Sequence, residues 1–85
     1  MKLYFKHDGE SEWGAGVAYL EFTDGWPSRQ AEVYGHIWCW GDVAHPDRLA
    51  DQPLERLGLE AVHAIPAEEF ERAWEEARSR CRPSS

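Results

Sequence analysis

Basic charge is missing from a long stretch of this chain. Between Lys6 and Arg29 there is no Lys or Arg, while Asp8, Glu10, Glu12, Glu21 and Asp24 all fall in that interval. The whole sequence carries a formal net charge of −7. This balance argues against nucleic-acid binding through a basic patch. It leaves an anionic surface, which serves solubility or steers a basic partner. Cysteine is scarce as well. Cys39 and Cys81 fall on different expected elements, and a disulfide between them is open to the chain only in an oxidising compartment. Met1-Lys2-Leu3 runs straight into a strand-like segment rather than a leader. The expectation is two reduced thiols in a cytoplasmic protein. Nor does any apolar run approach the roughly 20 residues that a membrane helix needs.

Aromatic residues are what the chain has in quantity: five Trp, three Tyr and three Phe in 85 residues. A chain this short makes one domain, residues 1–85, with a core near the lower limit of self-sufficiency. Buried aromatics at roughly 150–250 Å² each supply the needed apolar area.

The clearest local pattern is Ser28–Gly41, which reads as two strands folded on Gly35-His36. A Gly-X pair matches the twist of a two-residue hairpin loop. The flanking Val33, Tyr34, Ile37, Trp38 and Trp40 are strand formers. This turn pairs Tyr34 with Ile37, Val33 with Trp38, Glu32 with Cys39 and Ala31 with Trp40. One face then carries Ala31, Val33, Trp38 and Trp40 and is expected to meet the core. The other carries Glu32, Tyr34, Ile37 and Cys39 and is expected to be partly wet.

Upstream, Lys2–Lys6 and Val17–Phe22 alternate as strands. His7–Gly16, rich in Gly and acids, reads as a loop, and Thr23–Pro27 as a turn. Downstream, Pro46 and Pro53 interrupt Asp42–Gly58, which predicts one or two short helical turns anchored by Leu49, Leu54 and Leu57. Leu59–Ile65 reads as a short edge strand or an extended linker. Pro66–Arg80 is an amphipathic helix, with Phe70, Ala73, Trp74, Ala77 and Cys81 on one face. Ile65 is placed to staple onto Phe70. Glu68–Arg72 and Glu76–Arg80 have ion-pair spacing, and the tail from Arg82 to Ser85 is expected to fray. The fold class that follows is α+β: a small antiparallel meander of about four strands, with a C-terminal helix packed on one face.

Taken in order, these features resemble a group of small bacterial domains of unknown function and similar length. The resemblance is carried by Phe5-Lys6-His7-Asp8, by Tyr19-Leu20-Glu21-Phe22 and by Arg29-Gln30-Ala31-Glu32-Val33-Tyr34. It ends on Ile65 and Glu69-Phe70-Glu71-Arg72-Ala73-Trp74, and does not cover Asp42–Leu59. It implies strands followed by a helix, and brings no activity, cofactor or site residue with it.

Motifs for chemistry are thin. His36-x-x-Cys39 has a spacing seen in zinc sites, but His7, His45 or Cys81 would have to complete the set, and no metal or other cofactor is expected. His7-Asp8 joins a carboxylate to an imidazole, yet sequence neighbours on a strand point to opposite faces. Gly14-Ala15-Gly16 precedes a strand, whereas a phosphate cradle precedes a helix. The remaining candidates are Asp8, Glu10, Glu12 and Trp13 in one acidic stretch, and Asp24 and Trp26 in another. Trp is a frequent interface hot spot, and anionic groups speed encounter with basic surfaces. The alternative is that Trp13 and Trp26 fold back to cap the ends of the core. The expected function is a non-catalytic, acidic protein-interaction domain, of the inhibitor or immunity type, for a basic effector. The competing expectation is a small-ligand module with an aromatic pocket between helix and sheet. An exposed edge strand leaves monomer and homodimer both open.

Overall fold

A computed structural model describes residues 1–81, so the expected fraying of the tail lies outside the described residues. Four antiparallel strands form one meander sheet in the order β1-β2-β3-β4. They are β1 (Lys2–Ser11), β2 (Gly14–Thr23), β3 (Trp26–Tyr34) and β4 (Ile37–Asp42). Residues 43–65 form a strap with three short 3₁₀ turns, Pro46–Arg48, Leu54–Arg56 and Ala61–His63. The chain ends in α1 (Ala67–Arg80). No helix among the described residues is long and apolar enough to cross a membrane.

The β3–β4 hairpin turns at Gly35-His36, with Gly35 at φ 66°. Its register is Tyr34 to Ile37, Val33 to Trp38, Glu32 to Cys39 and Ala31 to Trp40. Helix α1 lies on the face carrying Ala31 and Trp40. Phe70, Trp74 and Ala77 pack there with Ala31 and Trp40, while Tyr4, Tyr19, Trp38, Ile65 and Cys81 border the cluster. The staple residue Ile65 therefore does join the Phe70 cluster. Glu76 pairs with Arg80, but no ion pair joins Glu68 to Arg72 among the described residues.

The first hairpin corrects the loop expected at His7–Gly16. That stretch is strand on both sides, with Ser11 opposite Gly14 and Glu12-Trp13 as a two-residue turn. Gly content misleads here because Gly9 and Gly16 oppose one another beneath Tyr34. A Cβ on Gly16 would stand 2.1 Å from the Val33 carbonyl oxygen and 2.5 Å from the Tyr34 ring. These glycines leave room for a ring to lie across the sheet.

The face expected to be partly wet is buried. Phe5, Ala18, Leu20 and Phe22 form a second cluster there, covered by Ala50, Leu54, Leu57 and Leu59 of the strap. Leu54 and Leu57 are thus anchors as expected, whereas Leu49 is not in the cluster and its neighbour Ala50 packs there instead. Glu32, Tyr34 and Cys39 lie on this face and are buried too. Glu32 tolerates burial because its carboxylate accepts from the Tyr34 hydroxyl at 2.6 Å and from the Gln30 amide at 3.1 Å. The segment before α1 is a linker rather than an edge strand, and touches β1 in a single bridge between Phe5 and Ala64.

Candidate docking surface

The two-residue turn puts Glu12 and Trp13 at the tip of the first hairpin, with Asp8 and Glu10 just below it on β1. All four are exposed, Trp13 at 41%. Strand alternation puts Asp8 and Glu10 on one face, the α1 side, with Tyr4 and Lys6. No ion pair among the described residues includes Asp8, Glu10 or Glu12. The tip is also held. The Trp13 N–H donates to Ser11 Oγ at 3.0 Å, and that hydroxyl donates to the Gly14 carbonyl at 3.3 Å. The Trp13 ring lies 6.0 Å from the Tyr34 ring, and the Arg48 guanidinium sits 5.2 Å from its centroid. Trp13 is therefore neither fully folded back nor fully free. One side packs back against the body, and a substantial part of the ring remains in solvent.

Asp24 and Trp26 are not part of this cluster. They occupy the β2–β3 turn, at the opposite end of β2. The separation is roughly 30 Å at about 3.3 Å per residue, close to the 29 Å length of the molecule. Asp24 and Gly25 have φ of 52° and 87°, the positive values of a primed hairpin turn. The terminal ammonium of Met1 donates to Asp24 at 2.8 Å and holds its carboxyl below the usual carboxylate range. Trp26 is 57% exposed beside a hollow of about 380 Å³ with Pro53, Leu54 and Glu55. The six sequence candidates thus divide into an uncompensated acidic tip and a second, neutralised end.

The chemical pairs weighed in the sequence also resolve. His7 Nδ1 donates to the Asp8 main-chain carbonyl at 2.8 Å, so the imidazole meets the backbone and not the carboxylate. His36 is exposed in its turn whereas Cys39 is buried. Both thiols are free, and burial pushes the Cys39 thiol above its ordinary pKa.

Sequence reasoning overlooked a polar network under α1. Glu21 on β2 is 2% exposed and accepts from Ser28 at 2.7 Å and from Arg29 Nε at 2.9 Å. Arg29 Nη2 donates to it as well, and also to Glu71 of α1 at 2.6 Å. Burial alone raises the Glu21 pKa, but the bonds from Arg29 and Ser28 outweigh it and hold the carboxyl below the ordinary value. The signal was an acid alternating with Val17 and Tyr19 on a face that must be covered. Among the described residues, no buried side-chain nitrogen or oxygen lacks a partner.

Comparison of the chain with protein-family models, with curated proteins and with solved structures finds no match. Membership of the small bacterial family that the sequence resembles is therefore a proposal resting on the motifs themselves.

Proposed function

We propose that this chain is a non-catalytic docking domain that binds a basic protein through the tip of its first hairpin, in the manner of an inhibitor or immunity protein. One observation carries the reading: Asp8, Glu10 and Glu12, none in an ion pair among the described residues, share the end of the first hairpin with a half-exposed Trp13 that Arg48 and Tyr34 already hold in place on the opposite face from Asp8 and Glu10. A fixed aromatic loses little side-chain entropy on binding. Unpaired carboxylates raise the encounter rate with a cationic surface, less so in salt. The polar network beneath α1 supports a structural reading of the buried charges, since each is spoken for within the fold. Two free thiols accord with a cytoplasmic setting.

The test is capture from host lysate by the wild type and by a variant carrying D8N, E10Q, E12Q and W13A, at about 0.1 M and about 1 M salt. A basic protein held by the wild type, released by salt and missed by the variant supports the reading. Equal capture by both proteins overturns it.

A second reading, a small-ligand module, draws on a hollow of about 470 Å³ at the margin of helix and sheet. Tyr19 and Trp38 face Glu69, Arg72 and Glu76 across it. Its size lies within the roughly 300–1,000 Å³ of ligand pockets.

A further inference from the structure

Strand β1 is a sheet edge for its whole length, and only its first half is covered. The bridge between Phe5 and Ala64 closes that half, with the Ile65 N–H donating to the Tyr4 carbonyl at 3.0 Å. Main-chain groups along an edge alternate between the neighbouring strand and the outside. If Tyr4 faces outward, so do Lys6, Asp8 and Glu10. The Met1 carbonyl fixes this parity, because it accepts from the Asp24 main-chain N–H of the neighbouring strand's end at 2.9 Å and so turns the odd-numbered residues toward β2; the Asp8 carbonyl meets only the His7 ring, at 2.8 Å. Beyond Ala64 no other main-chain bond reaches this edge among the described residues. The outward N–H and C=O groups of Asp8 and Glu10 are thus free of any strand partner. Their carboxylates share one face, and a hollow of about 550 Å³ runs beside Asp8, Gly9, Glu10, Ala15 and Gly16.

Open edges accept strands. A second copy of this chain is a poor occupant, since two-fold pairing of β1 on β1 would set Asp8 and Glu10 against the same residues of the other copy. Like charges directly opposed destabilise a sheet. A strand with Lys or Arg at alternate positions has the complementary pattern. The strap ends its run on one side and the Glu12-Trp13 turn on the other. Lys6 does not repel such a strand, because it is already paired with Glu69 at 2.8 Å.

We propose that the basic partner docks by strand addition, an extended segment with alternating cationic side chains pairing along the outer edge of β1 from His7 to Ser11. This rests on the docking function above and adds the mode and the partner's local chemistry. The incoming main-chain donor replaces the His7 ring at the Asp8 carbonyl. Its cationic side chains meet Asp8 and Glu10, and its end comes to lie beside Trp13.

The test uses a synthetic probe, acetyl-Lys-Thr-Lys-Val-Lys-Thr-Lys-amide, titrated into the isotope-labelled protein. The expected result is slowed solvent exchange at the Asp8 and Glu10 amides. Affinity should fall about tenfold or more when the probe is N-methylated at alternate positions, which removes donors but keeps every charge. Glu10→Pro, which deletes an outward N–H at an edge, should do the same. His7→Ala should strengthen binding by freeing the Asp8 carbonyl. Equal binding by the N-methylated probe, with no amide protection, overturns strand addition while leaving the docking function standing. Protection that grows with protein concentration and needs no probe identifies a second copy as the occupant and overturns the proposal. Absence of binding by the probe also overturns it.

Discussion

Arg29 and Glu71 lie 42 residues apart in sequence and meet through two parallel hydrogen bonds of 3.0 and 2.6 Å. The same guanidinium reaches back to Glu21 on the neighbouring strand and lies 5.0 and 5.1 Å from the rings of Phe70 and Trp74. Sheet and helix are therefore joined by one planar cation with a carboxylate on either side and aromatic faces beneath it. Arg serves here where Lys would not, because both pairings use its fork.

The two carboxylates differ in what they lose. Arg29→Met leaves the Glu21 charge 2% exposed with only the Ser28 hydroxyl and, at 3.9 Å, the Lys2 ammonium to answer it, and should cost about 3 kcal/mol. Glu71→Gln removes a partner whose side chain is 45% exposed, and should cost no more than about 1 kcal/mol. Urea denaturation of both variants measures the difference. Equal small losses would mean that Arg29 does not hold the helix to the sheet.

Stability should fall at both ends of the pH scale, for separate reasons. The folded Glu21 pKa lies below its ordinary value of 4.5, so its contribution is complete above that pH and is lost as pH falls through the folded value. Burial and the bond to Glu32 push Tyr34 up from 10.0 to about 12. The Tyr34 contribution is complete below pH 10 and is lost as pH rises towards 12. Melting curves across pH, repeated on Glu21→Gln and Tyr34→Phe, should show the acid limb flattened in the first and the alkaline limb in the second.

Gly16→Ala tests the crossing of Tyr34 over the first hairpin. The new methyl would stand 2.1 Å from a main-chain oxygen on β3, which cannot swing aside as a side chain does. A loss at or above the upper end of about 1–3 kcal/mol is expected, read by thermal melting. Gly14→Ala, where a Cβ meets nothing within 4 Å but φ is 101°, separates backbone strain from collision.

Arg48→Ala should release Trp13. The guanidinium 5.2 Å above the ring is worth roughly 0.5–1 kcal/mol at an exposed site. Trp13 emission, read in a variant with the other indoles replaced by Phe, should shift to the red without unfolding. An unchanged spectrum would show that Tyr34 alone positions the ring.

The hairpin at Gly35-His36 and the helix from Ala67 were legible because each depends on local periodicity and one decisive residue type. The second covered face was not. Glu32 and Tyr34 look wet in isolation, and only the bond between them, together with a strap broken by Pro46 and Pro53, makes their burial tolerable. The length of the first hairpin was hidden for a related reason. His7-Asp8-Gly9-Glu10-Ser11 has loop composition, but alternate residues of it bond to β2 through the main chain and its glycine makes room for Tyr34. The acidic candidates were readable one by one. Their division between the two ends of the sheet depends on the β1–β2 register, which no single residue announces.

The central claim is that the hairpin tip, and not net charge alone, receives the basic partner. The direct measurement is the affinity of the captured partner, across a salt series, for three proteins: the wild type, the tip variant D8N/E10Q/E12Q, and a control variant D51N/E68Q/E75Q. Both variants remove the same amount of charge from a protein of net −7, and the control residues are exposed and in no ion pair among the described residues. The account predicts a loss of about a hundredfold and a shallower salt dependence for the tip variant alone, as charge contacts at an interface do. Equal losses in the two variants would contradict it and reduce the tip to one part of a diffuse anionic surface.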